Sequence, residues 1–230
     1  MNVKKPKIAI LLAAPDGNFI RTDKRYAESV IRAGGVPFHI TPDGIEKQMD
    51  ALYPDGLILP GGNFPTPAEH YIDKSAYADL PPQPERVKAY FSMIEWSRRN
   101  SACLLGICAG MQLLAVSLGG KLTSGISGHR GTDEDRHAVD ILPGSLLAEV
   151  LGDGAFSTNT KHSEAIAEAA GGDFIISGRA EDGVIEAIEP RKPWGDFVLG
   201  VQWHPEQLST DIQKEQKIFD AFVEASAARH

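Results

Sequence analysis

Two cysteines, Cys103 and Cys108, are all that 230 residues contain. A bridge between them would require a buried strand to fold back on itself within a few residues, so no disulfide framework is expected. Long apolar runs are also missing, since nothing approaches the roughly 18 consecutive apolar residues that suggest a membrane span. Basic charge is scarce. The 23 Lys and Arg against 31 Asp and Glu leave a net charge of −8. Beyond Lys4, Lys5 and Lys7 no basic cluster occurs, which argues against a phosphate-backbone binder, because counterion release needs grouped cations.

Those lysines precede the apolar stretch 8–14, as the start of a signal peptide would. No A-x-A-like cleavage site follows, and Pro15-Asp16-Gly17 reads as the turn after a first strand, so the expectation is a cytoplasmic protein without a leader. With 42% hydrophobic residues the chain is long enough for one sizeable core, and a single domain spanning 1–230 is expected. The expected partner is a small molecule, with no nucleic acid and no membrane; homo-oligomerisation is left open.

Strand-like and helix-like runs alternate, the pattern of a doubly wound α/β fold. Strands are read at 8–13, Val36–Ile40, Gly56–Leu59, 102–107, 137–141, 174–177, 184–188 and Val198–Val201. Helices are read at 23–33, around a buried stripe of Ile45, Met49 and Leu52, at 85–99 (Val87, Phe91 and Ile94 on one face), near 145–151, and from 210 onward (Ile212, Phe219, Phe222 and Val223). Between them, residues 63–83 show no period and carry Pro65, Pro67, Pro81 and Pro82. A loop of this length in a compact domain points to a role at a site, here a rim around it.

The most informative stretch is Leu104-Leu105-Gly106-Ile107-Cys108-Ala109-Gly110-Met111-Gln112. A continuously apolar strand meets a cysteine between small residues, and a helical pattern follows at once. Gly106 and Gly110 permit a sharp strand-to-helix turn that thrusts Cys108 out at the carboxyl edge of the sheet, beside the amides of a helix N-terminus. Both effects favour thiolate over thiol. Cys103, inside the strand, reads as a small core residue. Far downstream, in Gln202-Trp203-His204-Pro205-Glu206, the imidazole and carboxylate lie two apart, and Pro205 is expected to hold the segment extended so that both point the same way. Cys108, His204 and Glu206 then form a nucleophile, a base and an orienter. The amide of Ala109, directly after the nucleophile, is a candidate donor to a tetrahedral oxyanion.

Together with Leu59-Pro60-Gly61-Gly62, these segments resemble the three signatures of class I glutamine amidotransferase-like proteins. Pro54 to Gly62, Leu118-Gly119-Gly120-Lys121-Leu122, His137-Ala138-Val139 and Asn159-Thr160-Lys161-His162-Ser163-Glu164-Ala165-Ile166 make it most like the γ-glutamyl-γ-aminobutyrate hydrolase branch of the C26 peptidases. The resemblance runs from about residue 7 to 220. It departs at Ser163, where the branch usually has a second histidine, and at Asn63, where an acidic residue is common. It implies a three-layer α/β/α sandwich, flavodoxin-like in kind, and hydrolysis of a γ-glutamyl amide, first of all γ-glutamyl-γ-aminobutyrate, through a thioester. It further implies the amide of Gly62 as second oxyanion donor, Gly61 close to the substrate, Gln112 at the α-amino-acid end of the glutamyl group, and His162 and Ser163 in the pocket wall. Two rival readings are a glutaminase feeding ammonia to a partner synthase and a non-catalytic ligand-binding protein.

The stretch from His129 and Arg130 through Asp133, Glu134, Asp135 and Arg136 to His137 matches no common metal-ligand spacing and mixes both signs of charge. No metal and no cofactor are assigned; thiolate chemistry needs none.

Overall fold

The computed structural model describes residues 5–132 and 134–229, so Lys4 and Asp133 lie outside the described residues. The described strands are β1 (Lys7–Leu11), β2 (Ala14–Asp16), β3 (Phe19–Arg21), β4 (Val36–Ile40), β5 (Gly56–Leu59), β6 (Cys103–Ile107), β7 (Lys121–Thr123), β8 (Arg136–Ile141), β9 (Gly154–Asn159), β10 (Ala165–Ala167), β11 (Phe174–Ala180), β12 (Ile185–Pro190) and β13 (Val198–Val201). The helices are α1 (Lys24–Arg32), α2 (Ile45–Leu52), α3 (Pro84–Asn100), α4 (Ala109–Ser117), α5 (Leu146–Leu151), α6 (Pro205–Leu208) and α7 (Gln213–Ala227).

Nine strands form one sheet in the order β4-β1-β5-β6-β13-β12-β11-β8-β9. The first five are parallel, and ranked by chain position they run 2-1-3-4-5, the flavodoxin-like doubly wound order. The other four continue antiparallel. Strands β5 and β6 are apolar and buried throughout, because a parallel sheet covered on both faces leaves no side for polar residues. One face packs on α2, α3 and α4 through Met49, Tyr90, Met93 and Leu114. The other packs on α1, α5 and α7 through Val30, Leu147, Phe219 and Phe222. Three layers result, as expected. The carboxyl ends of β1, β5, β6 and β13 meet at one edge, where doubly wound sheets bind their ligands.

Three local expectations are corrected. Pro15-Asp16-Gly17 is not a plain turn: β2 and β3 pair as a hairpin across Gly17 and Asn18. Leu52 does not complete the buried stripe of α2 but is 42% exposed, standing just before the left-handed Tyr53 that ends the helix. The last helix starts at Gln213 rather than 210, because the separate short helix α6 and a turn come first. Residues 63–83 are irregular apart from a 3-10 turn at Ala68–His70. They are nevertheless tied down: the buried carboxylate of Glu164 accepts from Tyr71 Oη (2.9 Å), Ser75 Oγ (2.6 Å) and Ala76 N (2.7 Å).

Candidate active site

At the end of β6 the backbone of Cys108 takes φ 52° and ψ −109°. For a residue with a Cβ such a conformation costs on the order of 1–3 kcal/mol and persists only where its surroundings dictate it. Here they do. The Cys108 amide donates to Val201 O at 2.8 Å, and α4 begins at the next residue, pressed so closely onto β5 that a Cβ at Gly110 would lie 2.2 Å from Leu59 O. Ala109 is the first residue of α4, so its N–H has no carbonyl to bond within the helix and is available to a ligand.

His204 follows β13, the strand hydrogen-bonded beside β6. Its Nδ1 lies 2.7 Å from Oε1 of Glu206, which is 1% exposed. The pairing is as expected but its cause is not: Pro205 does not extend the chain, it opens α6, the first-turn position to which its fixed φ is suited. Burial alone would depress the basicity of His204, but the Glu206 carboxylate and the neighbouring Cys108 sulfur outweigh it and push it up to about 10. Asn159, at the end of β9, grips the backbone of His204 from behind with two hydrogen bonds of 2.9 Å.

Gly61 touches both partners. A Cβ there would fall 2.5 Å from His204 Cε1 and 3.2 Å from Cys108 Cβ, so only glycine lets the strand end approach the pair. Its N–H donates to Tyr26 Oη at 2.9 Å. Above lies a cleft of about 460 Å³ whose lining includes Gly61, Gly62, Asn63, Arg86, His204 and Glu206. The two ends of the 63–83 loop, Asn63 and Gln83, flank it. Arg86 is 7% exposed, stacks over Phe64 at 4.0 Å, and donates to Gln83 Oε1 (3.1 Å) and Gly61 O (3.3 Å), while its Nε has no hydrogen-bond partner.

Cys108, His204, Glu206, Gly61, Gly62 and Ala109 are thus brought to one edge. Gln112, His162 and Ser163 are not in the lining of that cleft. Gln112 is 6% exposed and spends its amide on Glu164 O (2.9 Å) and Gln202 Oε1 (3.1 Å). His162 and Ser163 line a different cavity, of about 250 Å³, beside His129. Arg86 and Tyr26 escape sequence reasoning because a lone Arg or Tyr in an amphipathic helix reads as a solvated or core residue. Asn159 had a signal, since it opens the segment 159–166.

Residues 14–206 match the family described as Peptidase C26. The chain is 33% identical over 221 residues to a "Putative glutamine amidotransferase" of Mycobacterium tuberculosis, covering 88% of this chain and 66% of that protein, so it spans just under two thirds of that relative. A second protein of that description, from Schizosaccharomyces pombe, is 30% identical over 219 residues, covering 90% of this chain and 83% of the relative. The γ-glutamyl-γ-aminobutyrate hydrolase of Escherichia coli O157:H7 is 27% identical over 222 residues, covering 88% and 85%. Among solved structures, one described as a putative GMP synthase protein of Thermoplasma acidophilum superposes with a TM-score of 0.68 over 98% of this chain and 96% of that one, at 18% identity, a likeness of fold.

Proposed function

The chain belongs to the peptidase C26 family of glutamine amidotransferase-like hydrolases acting on C–N bonds, and from that premise we propose that it hydrolyses a γ-glutamyl amide, with γ-glutamyl-γ-aminobutyrate as the favoured substrate. The observation that carries this reading is the seating of His204 between the Glu206 carboxylate and the Cys108 sulfur at the foot of a cleft that also holds the buried guanidinium of Arg86.

The Cys108 sulfur attacks the γ-carbonyl carbon, and the developing oxyanion receives the amides of Ala109 and Gly62. As the C–N bond breaks, His204 gives a proton to the departing amine, leaving a γ-glutamyl thioester. Water then loses a proton to the same imidazole as it attacks, and glutamate departs while Cys108 is restored. Glu206 holds the tautomer and stabilises the imidazolium. An aminobutyrate leaving group ends in a carboxylate, which Arg86 meets with a charge-assisted hydrogen bond that free glutamine does not offer on its amine side.

The test is kcat/KM for γ-glutamyl-γ-aminobutyrate, for the γ-glutamyl amide of butylamine, which lacks the terminal carboxylate, and for glutamine, in the parent and in Arg86→Met. Expected is a parent preference for the first, reduced roughly tenfold to hundredfold by the substitution while the other two move little. A parent that prefers glutamine transfers the assignment to an ammonia-supplying glutaminase. Absence of turnover on all three from folded protein favours a ligand-binding role.

A further inference from the structure

Away from the cleft, four side chains that the proposed reaction does not use converge on one point. They are His129 (4% exposed), His137 in β8, His162 (2%) and Glu186 in β12 (0%). The ligand atoms of His129, His137 and Glu186 lie within 4.8 Å of one another. We propose that this cluster is a binding site for a divalent transition-metal cation of the zinc type, with Glu186 Oε1, His129 Nδ1 and His162 Nε2 as its nearest donors and His137 Nε2 completing the set.

The hydrogen-bond partners of the rings make the case. Nδ1 of His162 lies 2.9 Å from the backbone carbonyl of Glu164, which only accepts, so that nitrogen carries the proton and a neutral ring turns the lone pair of Nε2 inward. Nε2 of His129 lies 3.0 Å from the Asp182 carboxylate and must likewise donate, so that in a neutral ring Nδ1 turns its lone pair inward. Both inward nitrogens stand 3.3 Å from the same oxygen, Glu186 Oε1. Two such lone pairs facing a buried carboxylate repel unless a proton or a metal cation lies among them, and the convergence of the donors on one point suits the cation.

The distances agree. Bonds of about 2.0–2.1 Å in a tetrahedral arrangement set neighbouring donor atoms about 3.3 Å apart, each aimed at the ion rather than along the line to its neighbour. In keeping with that aim, neither Glu186 oxygen accepts an aligned hydrogen bond, and His162 Nε2 and His137 Nε2 have no hydrogen-bond partner. His137 Nε2 is 3.8 Å from Glu186 Oε2, within reach after a small closure. Metal-bound histidines habitually pass their other N–H to a carboxylate or a backbone carbonyl, and Asp182 and Glu164 O occupy those outer positions. The cavity of about 250 Å³ lined in part by His129, Arg130, His162 and Ser163 provides an entry path. Three imidazoles and one carboxylate suit zinc and its transition-metal neighbours, not magnesium or calcium. Sequence spacing gave no hint because the donors come singly, from residues 129, 137, 162 and 186.

The full chain and its Cys108→Ala variant are stripped with a chelator, dialysed against zinc and assayed for bound metal, with cobalt as the spectroscopic probe. Expected is about one zinc ion per chain in both proteins, a Tm raised by several degrees, and the intense visible bands of four-coordinate cobalt without sulfur-to-metal charge transfer. Glu186→Gln and His129→Asn should weaken binding at least tenfold. Metal-free protein with an unchanged Tm would show a protonated ion network instead and overturn the proposal. So would zinc that is lost in Cys108→Ala yet kept in Glu186→Gln, which places it on the thiolate. Should the cluster variants fail to fold, sulfur charge transfer or weak six-coordinate bands in the parent cobalt spectrum overturn it alone.

Discussion

The side-chain amide of Asn159 closes a ring on the backbone of His204: Nδ2 donates to His204 O and Oδ1 accepts from His204 N, both at 2.9 Å. The base of the proposed reaction is therefore set by the end of strand β9 rather than by its own loop. Asn159→Ala is expected to lower kcat roughly tenfold to hundredfold with little change in KM, because the imidazole shifts while the cleft persists. It should also cost about 1–3 kcal/mol of stability for two backbone groups left without partners. Steady-state kinetics with urea unfolding check both, and a KM effect without a kcat effect would refute a positioning role.

Cys108→Ala should abolish turnover without unfolding the protein, while Cys103→Ala keeps most activity. The backbone of Cys108 adds a sharper expectation. At φ 52° and ψ −109° a Cβ is strained, so Cys108→Gly should be more stable than Cys108→Ala by about 1 kcal/mol or more in spite of the entropy glycine loses. Equal urea midpoints for the two variants would mean that the elbow relaxes once the thiol is gone.

In the proposed reaction Glu206 orients His204 and does not itself react. Glu206→Gln should thus lower kcat by one to two orders of magnitude less than His204→Ala, since the base survives in the first and not in the second. Equal losses would give the carboxylate a direct part in proton transfer.

Glu215 in α7 is 0% exposed, accepts from Thr158 Oγ1 at 2.5 Å and Trp203 Nε1 at 2.9 Å, and burial pushes its carboxyl up to about 7. Raised from the ordinary 4.5, it contributes stability that is fully present below about pH 4.5 and is lost as pH rises through about 7. Glu215→Gln retains an acceptor for the indole and a donor for the threonine but cannot ionise. The fall in stability between pH 5 and pH 8, measured by urea midpoints, should be smaller in the variant than in the parent.

Sequence reasoning reached the parallel half of the sheet because its strands announce themselves. Gly56–Leu59 and Val198–Val201 are found at the bounds expected, since strands covered on both faces must be apolar throughout, and the edge strand Val36–Ile40 is found at its bounds too although only Ile40 in it is buried. Short pieces such as β7 and β10, three residues each, carry too few positions for a period to show. Cys108, His204 and Glu206 were legible because elbow chemistry demands a fixed local pattern. Arg86 was not, and Asn159 and Glu164 showed only as members of the segment 159–166, without their roles. Their importance comes from what stands opposite them in space, Gly61, His204 and Tyr71, and no local spacing encodes that. Gln112, one helical turn past Cys108, gives its Nε2 to Glu164 O and Gln202 Oε1, partners that no local spacing announces.

Cys108 and His204 come from segments nearly a hundred residues apart, yet Ile107 and Val201, at the ends of β6 and β13, are direct partners in the sheet. The strands that deliver the two groups proposed to react are therefore neighbours in the peptide ladder, one interstrand spacing apart. A slip of register would carry the sulfur and the imidazole apart by a full residue step while leaving the hydrophobic pattern of both strands intact, since both are apolar on each face. Turnover thus acts as a proofreader of assembly. Chains that collapse with the two strands mispaired would pass tests of compactness and helix content and still be chemically silent, so activity regained on refolding counts correctly paired sheets rather than folded mass.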